Sequence, residues 1–343
     1  MISRRKTLFF LGLSGAAGCN RANRLRLNVF NWSNYVAEST IPRFESETGI
    51  RVRYAIYESN EEMLARVMTG NSGWDIVFPS NYFIAPMREM SLLAPLDHTR
   101  LGHMRNLGEI FQRPVWDQDL KWNLPYMWGS SGILFNAHGG ATPTSWADLW
   151  TARFRGRMTM LDDPAEVFGA ALKKLGRSLN AGAESDLRAA QQEALRQKPL
   201  LRAYLNAEVR DQMVAGDMIA CQLWATTAQQ AIDAAPHLAY VYPSEGYALY
   251  ADCAALLRES RRADLAHQFL DYLFRPEVAA DIVSSSRTAT ANGAARELLP
   301  KPVGTLRTLY PDAETLARGE WFAPLAAPAQ RLRDRLWTEL KSA

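Results

Sequence analysis

Apolar and polar positions near the start of the mature chain predict repeated strand–helix units. Residues 27–30 are mostly apolar and indicate a buried strand, and residues 39–48 fit a helix that ends at Gly49. Residues 50–56 alternate between apolar and other side chains, which indicates a second strand with one buried face. The pattern therefore begins with a strand, a helix and another strand.

The following segment repeats this unit. Ser59 and Glu62 have the spacing of a capping box, and they predict a helix that ends before Gly70. Residues 74–78, WDIVF, predict a third strand, and residues 79–82 are expected to leave its carboxyl end as a polar, aromatic loop. Three such repeats predict an α/β fold with a largely parallel sheet flanked by helices.

The rest of the chain predicts a second lobe. Residues 122–136 are apolar and rich in small side chains, as expected of a crossing between lobes, and the apolar residues 250–257 are expected to return. We predict two discontinuous lobes with a ligand cleft between them. Lobe 1 comprises residues 26–127 and 251–296, and lobe 2 comprises residues 128–250 and 297–343.

The amino terminus has the pattern of a targeting segment. Three basic residues precede an apolar run over residues 7–18, which is too short to span a bilayer but suits a secretory leader. Residues 16–19, AAGC, are similar to a bacterial lipobox, which predicts a signal peptide over residues 1–18, a lipid on Cys19 and a tether over residues 19–25. Ordinary cleavage without lipid is the alternative, and Ser3-Arg4-Arg5 also resembles the start of a twin-arginine signal.

Composition and charge exclude several classes of protein. The chain has 343 residues, of which 48% are hydrophobic and 22% charged, so it is not a disordered tail protein. Removal of residues 1–18 takes away three positive charges, and the net charge falls from +3 to 0. The mature protein therefore has no global positive field for nucleic acid or anionic membranes. We expect Cys221 and Cys253 to be small buried residues, although one disulfide between them is an alternative.

Aromatic and polar residues follow the first strand where open α/β sheets bind ligands. Trp32, Ser33, Asn34 and Tyr35 come directly after residues 27–31, at the expected carboxyl end of that strand. Trp224 likewise ends a predicted strand over residues 218–224. These rings are candidates for a binding cleft, although Trp32 and Tyr35 could equally be core aromatics with satisfied polar tips.

Three acidic residues are candidates for binding a cation. Asp163, Pro164 and Glu166 have the pattern of a capped helix start, but the two carboxylates could also project into the cleft. Asp252 interrupts an apolar strand, which is costly unless the carboxylate is paired or reaches a polar cavity. No Lys or Arg lies within five residues of it, so its partner is either a distant part of the fold or a ligand.

Motifs of common enzyme classes are missing from the sequence. The five histidines form no metal-ligating pair of the H-E-x-x-H type, and no G-x-S-x-G elbow, P-loop or G-x-G-x-x-G is present. His103 and His267 are expected to be surface or core residues. We predict no catalytic residue, no metal and no cofactor, and the protein is expected not to be an enzyme.

Several motifs together resemble one family from about Leu27 to the carboxyl terminus. They are NVFNWSNY, YESNEEMLARV, WDIVFPSNYFI, TSWADLW, LDDPAEVF and YPDAET followed by GEW. They are similar to the polyamine-binding (spermidine/putrescine) solute receptors of bacterial ABC importers, whose fold is the two-lobed type II periplasmic binding protein fold. The resemblance implies an extended polyamine between the lobes, held by aromatic walls and acidic ends.

The resemblance also implies which residues form the site. The matching positions are Trp32, Ser33, Tyr35, Ser80, Tyr82, Asp163, Glu166, Trp224 and Asp252. Four other positions in or near the expected cleft differ from the family pattern. Asn34 stands where an acid is usual, Tyr250 replaces a Trp, Thr288 stands at a position that is often Tyr, and Phe322 at one that is often Gln. These differences predict an altered ligand preference and one less polar end of the cleft.

The resemblance predicts an extracytoplasmic, monomeric receptor in the periplasm. It would close around a polyamine by hinge motion and deliver it to an inner-membrane ABC permease. A receptor for another small organic cation is an alternative, because aromatic and acidic residues also suit a quaternary amine. A Cys-dependent transferase on the same scaffold and a signalling receptor without a permease are further alternatives.

Overall fold

The computed structural model describes residues 25–139 and 142–343. The predicted leader, residues 1–18, and the lipidation candidate Cys19 lie outside the described residues. Within the described part of the chain, no helix is both long enough and apolar enough to cross a membrane.

The strands join into one mixed sheet. They are β1 (Arg26–Trp32), β2 (Arg51–Tyr57), β3 (Ile76–Val77), β4 (Leu124–Asn136), β5 (Met158–Met160), β6 (Ala203–Tyr204), β7 (Ala220–Trp224), β8 (Leu238–Val241), β9 (Tyr247–Leu256), β10 (Ala289–Thr290) and β11 (Gly319–Trp321). The main path through the sheet has the order β2-β1-β3-β9-β4-β7-β5-β6, with β8 and β10 pairing to β4 and β11 pairing to β9.

Helices cover the sheet and connect its strands. They are α1 (Thr40–Thr48), α2 (Asn60–Val67), α3 (Asn81–Glu89), α4 (Glu109–Gln112), α5 (Pro164–Lys174), α6 (Glu184–Gln197), α7 (Val209–Ala215), α8 (Ala225–Ala234), α9 (Ala263–Leu273), α10 (Pro276–Ser286), α11 (Gly293–Glu297), α12 (Lys301–Gly304), α13 (Ala313–Leu316) and α14 (Ala327–Ser342). Two sequence signals operate as predicted, because Ser59 caps the start of α2 and Gly49 ends α1 in a left-handed conformation.

Parallel pairing occurs at both ends of the main path, and antiparallel pairing occurs in the middle. β1 pairs in parallel with β2 and β3, and β5 pairs in parallel with β6 and β7. The two long strands β4 and β9 pair antiparallel with each other. β4 also pairs antiparallel with β7, and β9 pairs antiparallel with β3. The parallel strands at each end of the path are therefore joined through β4 and β9, which overlap the two apolar segments 122–136 and 250–257.

The central strands are buried and closely packed. All ten residues of β9 are buried, as are the first twelve of the thirteen residues of β4. Gly129 lies opposite Tyr250 in the β4–β9 ladder, and a Cβ atom at position 129 would lie only 2.5 Å from the Tyr250 hydroxyl oxygen. Glycine is therefore needed here because the Tyr250 side chain lies directly against the backbone of β4.

The loop predicted over residues 79–82 was only partly correct. Ser80 has an extended backbone, but α3 begins at Asn81, so Tyr82 lies in the first turn of a helix. The helix also contains Pro86, which lacks a backbone N–H and normally disfavours a helix interior. The helix forms despite this proline, and its residues Ile84 and Met87 are buried.

Candidate functional site

A cavity of about 580 Å3 lies where several strands end. One wall, here called wall A, is formed by the carboxyl ends of β1, β2 and β3 together with the middle of β9. The opposite wall, wall B, is formed by the starts of α5, α7 and α8. The lining residues are Trp32, Ser33, Asn34, Tyr35, Glu58, Asn60, Ser80, Tyr82, Asp163, Glu166, Asn206, Ala207, Glu208, Arg210, Asp211, Trp224, Thr226, Thr227, Gln230, Tyr250, Asp252 and Phe322.

Asp252 is the buried carboxylate of wall A. The Tyr35 hydroxyl donates to its Oδ2 at 2.5 Å, and the Ser80 hydroxyl donates to its Oδ1 at 2.6 Å. Burial raises the pKa of Asp252 to about 6, while the two hydrogen bonds act to lower it. The partners of Asp252 are therefore neutral donors from the ends of β1 and β3, and its negative charge is not neutralised by them.

Ser80 and Trp32 are fixed by neighbouring polar groups. The Asn60 side chain accepts from the Ser80 backbone N–H at 3.0 Å and donates to the Ser80 hydroxyl at 3.0 Å. The Trp32 indole N–H donates to the Phe78 carbonyl at 2.8 Å. These bonds satisfy the polar tips, as expected for core aromatics, and the same side chains also line the cavity. Both interpretations of Trp32 therefore apply to it.

Two carboxylates of wall B come from the start of α5. Asp163 is the N-cap residue, since its Oδ1 accepts from the backbone N–H groups of Ala165 and Glu166 at 2.7 and 3.1 Å. Glu166 is buried, and its Oε1 accepts from the Ser131 hydroxyl at 2.6 Å and from the Trp224 indole N–H at 3.0 Å. The capping pattern is thus confirmed for Asp163, but Glu166 bonds to Ser131 and Trp224, not to the N-cap backbone.

The two carboxyl groups at α5 affect each other's ionisation. Burial, and secondarily the charge of Asp163, raises the pKa of Glu166 to about 8. Burial also raises the pKa of Asp163, although the backbone N–H donors at the helix start act in the opposite direction. Glu166 is therefore largely protonated near neutral pH in the empty cavity, and a nearby cation would favour its ionised form.

Aromatic rings cover the apolar parts of the cavity. Tyr250 and Trp224 line it from the crossing strand β9 and from the end of β7. Tyr82 packs against Phe322 with their ring centroids 5.2 Å apart, and both rings line the cavity. Phe322 is thus a lining residue, but the charges of Asp163 and Glu166, which also line the cavity, act on the neighbouring Tyr82, so the expectation of a less polar end remains a prediction.

Thr288 is the one predicted cleft residue that does not line the cavity. It lies directly before β10, which pairs with β4, and its side chain is fully buried. Its position in the closely packed sheet therefore separates it from the cavity. The sequence could not reveal this, because the pairing of β10 with β4 joins segments about 160 residues apart.

Sequence analysis missed several lining residues. Glu58 and Asn60 follow β2, and the rule that selected Trp32 and Ser80 at strand ends would also have selected them. The others, Asn206, Ala207, Glu208, Arg210, Asp211, Thr226, Thr227 and Gln230, come from α7, α8 and the turn before α7. They carry no motif, and only the packing of these helices brings them to the cavity.

The groups needed for the alternative Cys-dependent chemistry lie away from this cavity. Cys221 and Cys253 are free and fully buried, and burial raises the pKa of both thiols. A raised pKa opposes formation of the nucleophilic thiolate. Among the described residues, no group of His, Cys, Asp and Glu side chains is arranged to hold a metal ion.

The cavity chemistry suits a cation with apolar spacers. Asp163, Glu166 and Asp252 supply negative charge within largely desolvated walls, and the rings of Trp32, Trp224 and Tyr250 can cover methylene groups or face a cation. A closely approached ammonium gains about 4 kcal/mol per carboxylate at an effective dielectric of 20, before desolvation and ligand ordering reduce this gain.

Comparison with known proteins agrees with the fold. The family of "bacterial extracellular solute-binding protein" chains matches residues 40–303. The spermidine/putrescine-binding periplasmic protein of Escherichia coli (strain K12) is 32% identical over 97% of this chain and 95% of its own length. The putrescine/cadaverine-binding protein of Pseudomonas aeruginosa is 30% identical over 96% of both chains.

A solved structure agrees in the same way. A chain from Listeria monocytogenes, whose description names a spermidine/putrescine ABC transporter, superposes with a TM-score of 0.89 at 31% identity, covering 92% of this chain and 98% of that one. The fold prediction, a two-lobed α/β periplasmic binding protein, is thereby confirmed. The chain belongs to the bacterial extracellular solute-binding protein family.

Proposed function

We propose that this protein is an extracytoplasmic receptor that binds a polyamine of the spermidine/putrescine class and delivers it to an ABC-type permease. The observation that carries the proposal is the pair of buried, hydroxyl-bonded carboxylates on opposite walls, Asp252 and Glu166, in one aromatic-lined cavity. The relatives with the same fold bear polyamine-binding names over nearly the whole length of the chain.

Each wall contributes differently to recognition of the ligand. Among the described residues, the carboxylate of Asp252 on wall A accepts hydrogen bonds only from neutral donors. Its negative charge therefore remains available to bind an ammonium group of the ligand. On wall B, burial and the charge of Asp163 keep Glu166 largely protonated, and an approaching cation favours its ionised form. Trp32, Trp224 and Tyr250 cover the methylene segments between the nitrogens.

Closure follows from these contacts on both walls. A ligand that touches both walls at once stabilises the closed arrangement, because only that arrangement provides both sets of contacts. The strands β4 and β9 connect the two ends of the sheet and are the segments about which we propose that the lobes rotate. No bond is made or broken in this cycle, and the protein acts as a carrier, not as an enzyme.

The predicted location and assembly belong to the same proposal. Family members are extracytoplasmic, and the apolar run before Cys19 supports export of this chain. We further propose that Cys19 carries a lipid anchor and that the receptor is a monomer, since hinge closure requires no second subunit.

Calorimetric titration of the purified protein tests the ligand class. Putrescine, cadaverine, spermidine and spermine are titrated in turn, with arginine and glucose as controls. We expect saturable binding of at least one polyamine in the micromolar range or tighter, which requires a net of about 8 kcal/mol. Binding of none of the four would overturn the polyamine assignment, and binding of a quaternary amine such as choline instead would favour the other-cation alternative.

A further inference from the structure

The carboxylates of the cavity differ in burial along its length. Glu166 and Asp252 are buried at the inner end, at 4% and 2% exposure, whereas Glu58, Glu208 and Asp211 are exposed. Asn34, beside Glu58 on wall A, is also exposed and carries no charge. We call these four exposed lining residues, Asn34, Glu58, Glu208 and Asp211, the cavity mouth.

Within the cavity mouth, Glu58 is the carboxylate held against wall A. It directly follows β2, and its Oε2 accepts a hydrogen bond from the Ser33 hydroxyl at 3.2 Å. Ser33 is neutral, and among the described residues no Lys or Arg forms an ion pair with Glu58. Its negative charge is therefore uncompensated, and the bond from Ser33 holds it beside the aromatic loop that begins with Trp32.

The acids on wall B are placed differently. Asp211 pairs with Arg210 at 3.0 Å, so its charge is largely balanced by a neighbour that also lines the cavity. Glu208 has no hydrogen bond or ion pair within the described residues. Its charge is therefore unbalanced, but no described side chain holds it in place. Glu58 thus combines an unbalanced charge with a hydrogen bond to wall A, and neither acid of wall B has both an unbalanced charge and a hydrogen bond to its own wall.

We propose that Glu58 is a specificity-determining residue that binds the outer ammonium of a polyamine long enough to reach the cavity mouth. This inference rests on the proposed function and names the substrate class within it, which is triamines and longer amines in preference to diamines. A short diamine places both ammonium groups among the inner carboxylates and leaves Glu58 without a ligand partner. A longer amine adds a contact at Glu58.

The size of the effect follows from the exposure of Glu58. Exposed ion pairs are weak and their loss changes affinity by at most about fivefold, so the variant Glu58→Gln is expected to weaken spermidine binding about two- to fivefold. The same variant is expected to change putrescine affinity by less than about 1.5-fold. The spermidine-to-putrescine preference therefore falls, and the effect on spermidine diminishes as salt is raised because exposed charges are screened.

Glu38→Gln is the matched control. Glu38 is an exposed carboxylate four residues after Asn34, and it does not line the cavity. It tests whether the loss of any nearby negative charge changes the preference. A second variant adds Asn34→Asp to Glu58→Gln, which returns one carboxylate to the cavity mouth. Asn34 has a left-handed backbone, with φ of 57°, that Asp also tolerates. This double variant is expected to recover much of the preference for spermidine.

The outcomes separate this inference from the proposed function. Titration of wild-type protein with putrescine, cadaverine, spermidine and spermine decides the function first, and if none of the four binds, both proposals are wrong. If wild type binds but Glu58→Gln behaves like Glu38→Gln, only the role of Glu58 is overturned. Equal weakening of putrescine and spermidine by Glu58→Gln would also overturn it, because Glu58 would then act as a general charge and not on the outer ammonium.

Discussion

Each wall of the cavity contains a buried carboxyl group, Asp252 on wall A and Glu166 on wall B, and the two groups have different pKa values. On wall A the pKa of Asp252 is raised to about 6, and on wall B the pKa of Glu166 is raised to about 8. Both side chains are buried and both accept two hydrogen bonds. The main difference is the neighbouring Asp163, whose negative charge acts on Glu166 in addition to burial.

Equal burial does not give these two carboxyl groups equal charge. Near neutral pH, Asp252 is largely ionised in the empty cavity, while Glu166 is largely protonated. Wall A therefore offers an existing charge to the ligand, and wall B gains one when a cation arrives and expels a proton. The two walls contribute to binding in different ways, and substitution of each should have a different pH dependence.

The largest expected effect is that of Asp252→Asn. The variant removes the ionised carboxylate of wall A, and we expect polyamine affinity to fall by about tenfold or more near pH 7. Calorimetric titration measures the change. Asp75→Asn is the control, since Asp75 is equally buried, accepts a hydrogen bond from Ser260, and does not line the cavity. Unchanged affinity in Asp252→Asn would refute the role of wall A.

Glu166→Gln is expected to have a smaller effect that grows with pH. Because Glu166 is mostly protonated near pH 7, the neutral replacement should weaken binding only about threefold there, and more strongly at about pH 8.5. In wild type, polyamine binding should release protons, which is measured by titration in buffers of different ionisation enthalpy. The release should largely disappear in Glu166→Gln. Identical proton release in both proteins would contradict the difference between the walls.

Tyr35→Phe tests how the ionisation of Asp252 on wall A affects binding. It removes the hydroxyl that donates to Asp252 and so raises the pKa of this carboxyl further. We expect about a threefold loss of affinity near pH 7 that is partly recovered at higher pH. Tyr57→Phe serves as control, because the Tyr57 hydroxyl bonds to the Phe78 carbonyl and the residue does not line the cavity. A loss of affinity with no recovery at high pH would show that Tyr35 acts other than through Asp252.

The smallest expected effect is on the stability of the ligand-free protein. A carboxyl whose pKa is raised on folding binds protons more tightly in the folded state, so its contribution is fully present below the unfolded pKa of about 4.3 and is lost as pH rises through the folded pKa. For Glu166, with a folded pKa of about 8, this window reaches into neutral pH. The Tm of wild type should therefore fall between about pH 5 and pH 8.5.

Glu166→Gln should reduce this pH dependence of stability. Its Tm at about pH 8.5 is expected to exceed that of wild type by about 2–4 °C, since a neutral amide replaces a buried charge. Calorimetric or fluorescence-monitored melting at the two pH values measures the difference. A wild-type Tm that rises over this range would place the raised pKa values in doubt.

Local patterns along the chain were sufficient to predict much of the fold. Gly49 and Ser59 set helix ends as expected, and the apolar segments 122–136 and 250–257 overlap the long buried strands β4 and β9. These signals are reliable because they arise from neighbouring residues or from the period of a single strand. The start of α3 was missed because the polar and aromatic residues 79–82 were interpreted as a loop, whereas the helix begins at Asn81.

The composition of the cavity was predicted less completely. The strand-end rule and the family resemblance identified Trp32, Ser80, Asp163 and Asp252, which line the cavity, whereas the possible cleft residue Thr288 does not line it and the lining residue Glu58 was not predicted. Thr288 is buried by a strand pairing that no local pattern reveals. Glu58 was omitted although it also follows a strand, because neither an aromatic ring nor an interrupted apolar run draws attention to it.

The α/β class, the order of most elements and the family could be predicted from the amino-acid sequence, because propensity, capping and motif order are properties of nearby residues. The groups that meet at the buried carboxylates could be identified only from the folded structure. Tyr35 and Ser80 reach Asp252 across 217 and 172 residues of sequence, and Ser131 and Trp224 meet at Glu166. Such contacts depend on strand register and on packing between distant segments, and they set the pKa values that distinguish the two walls.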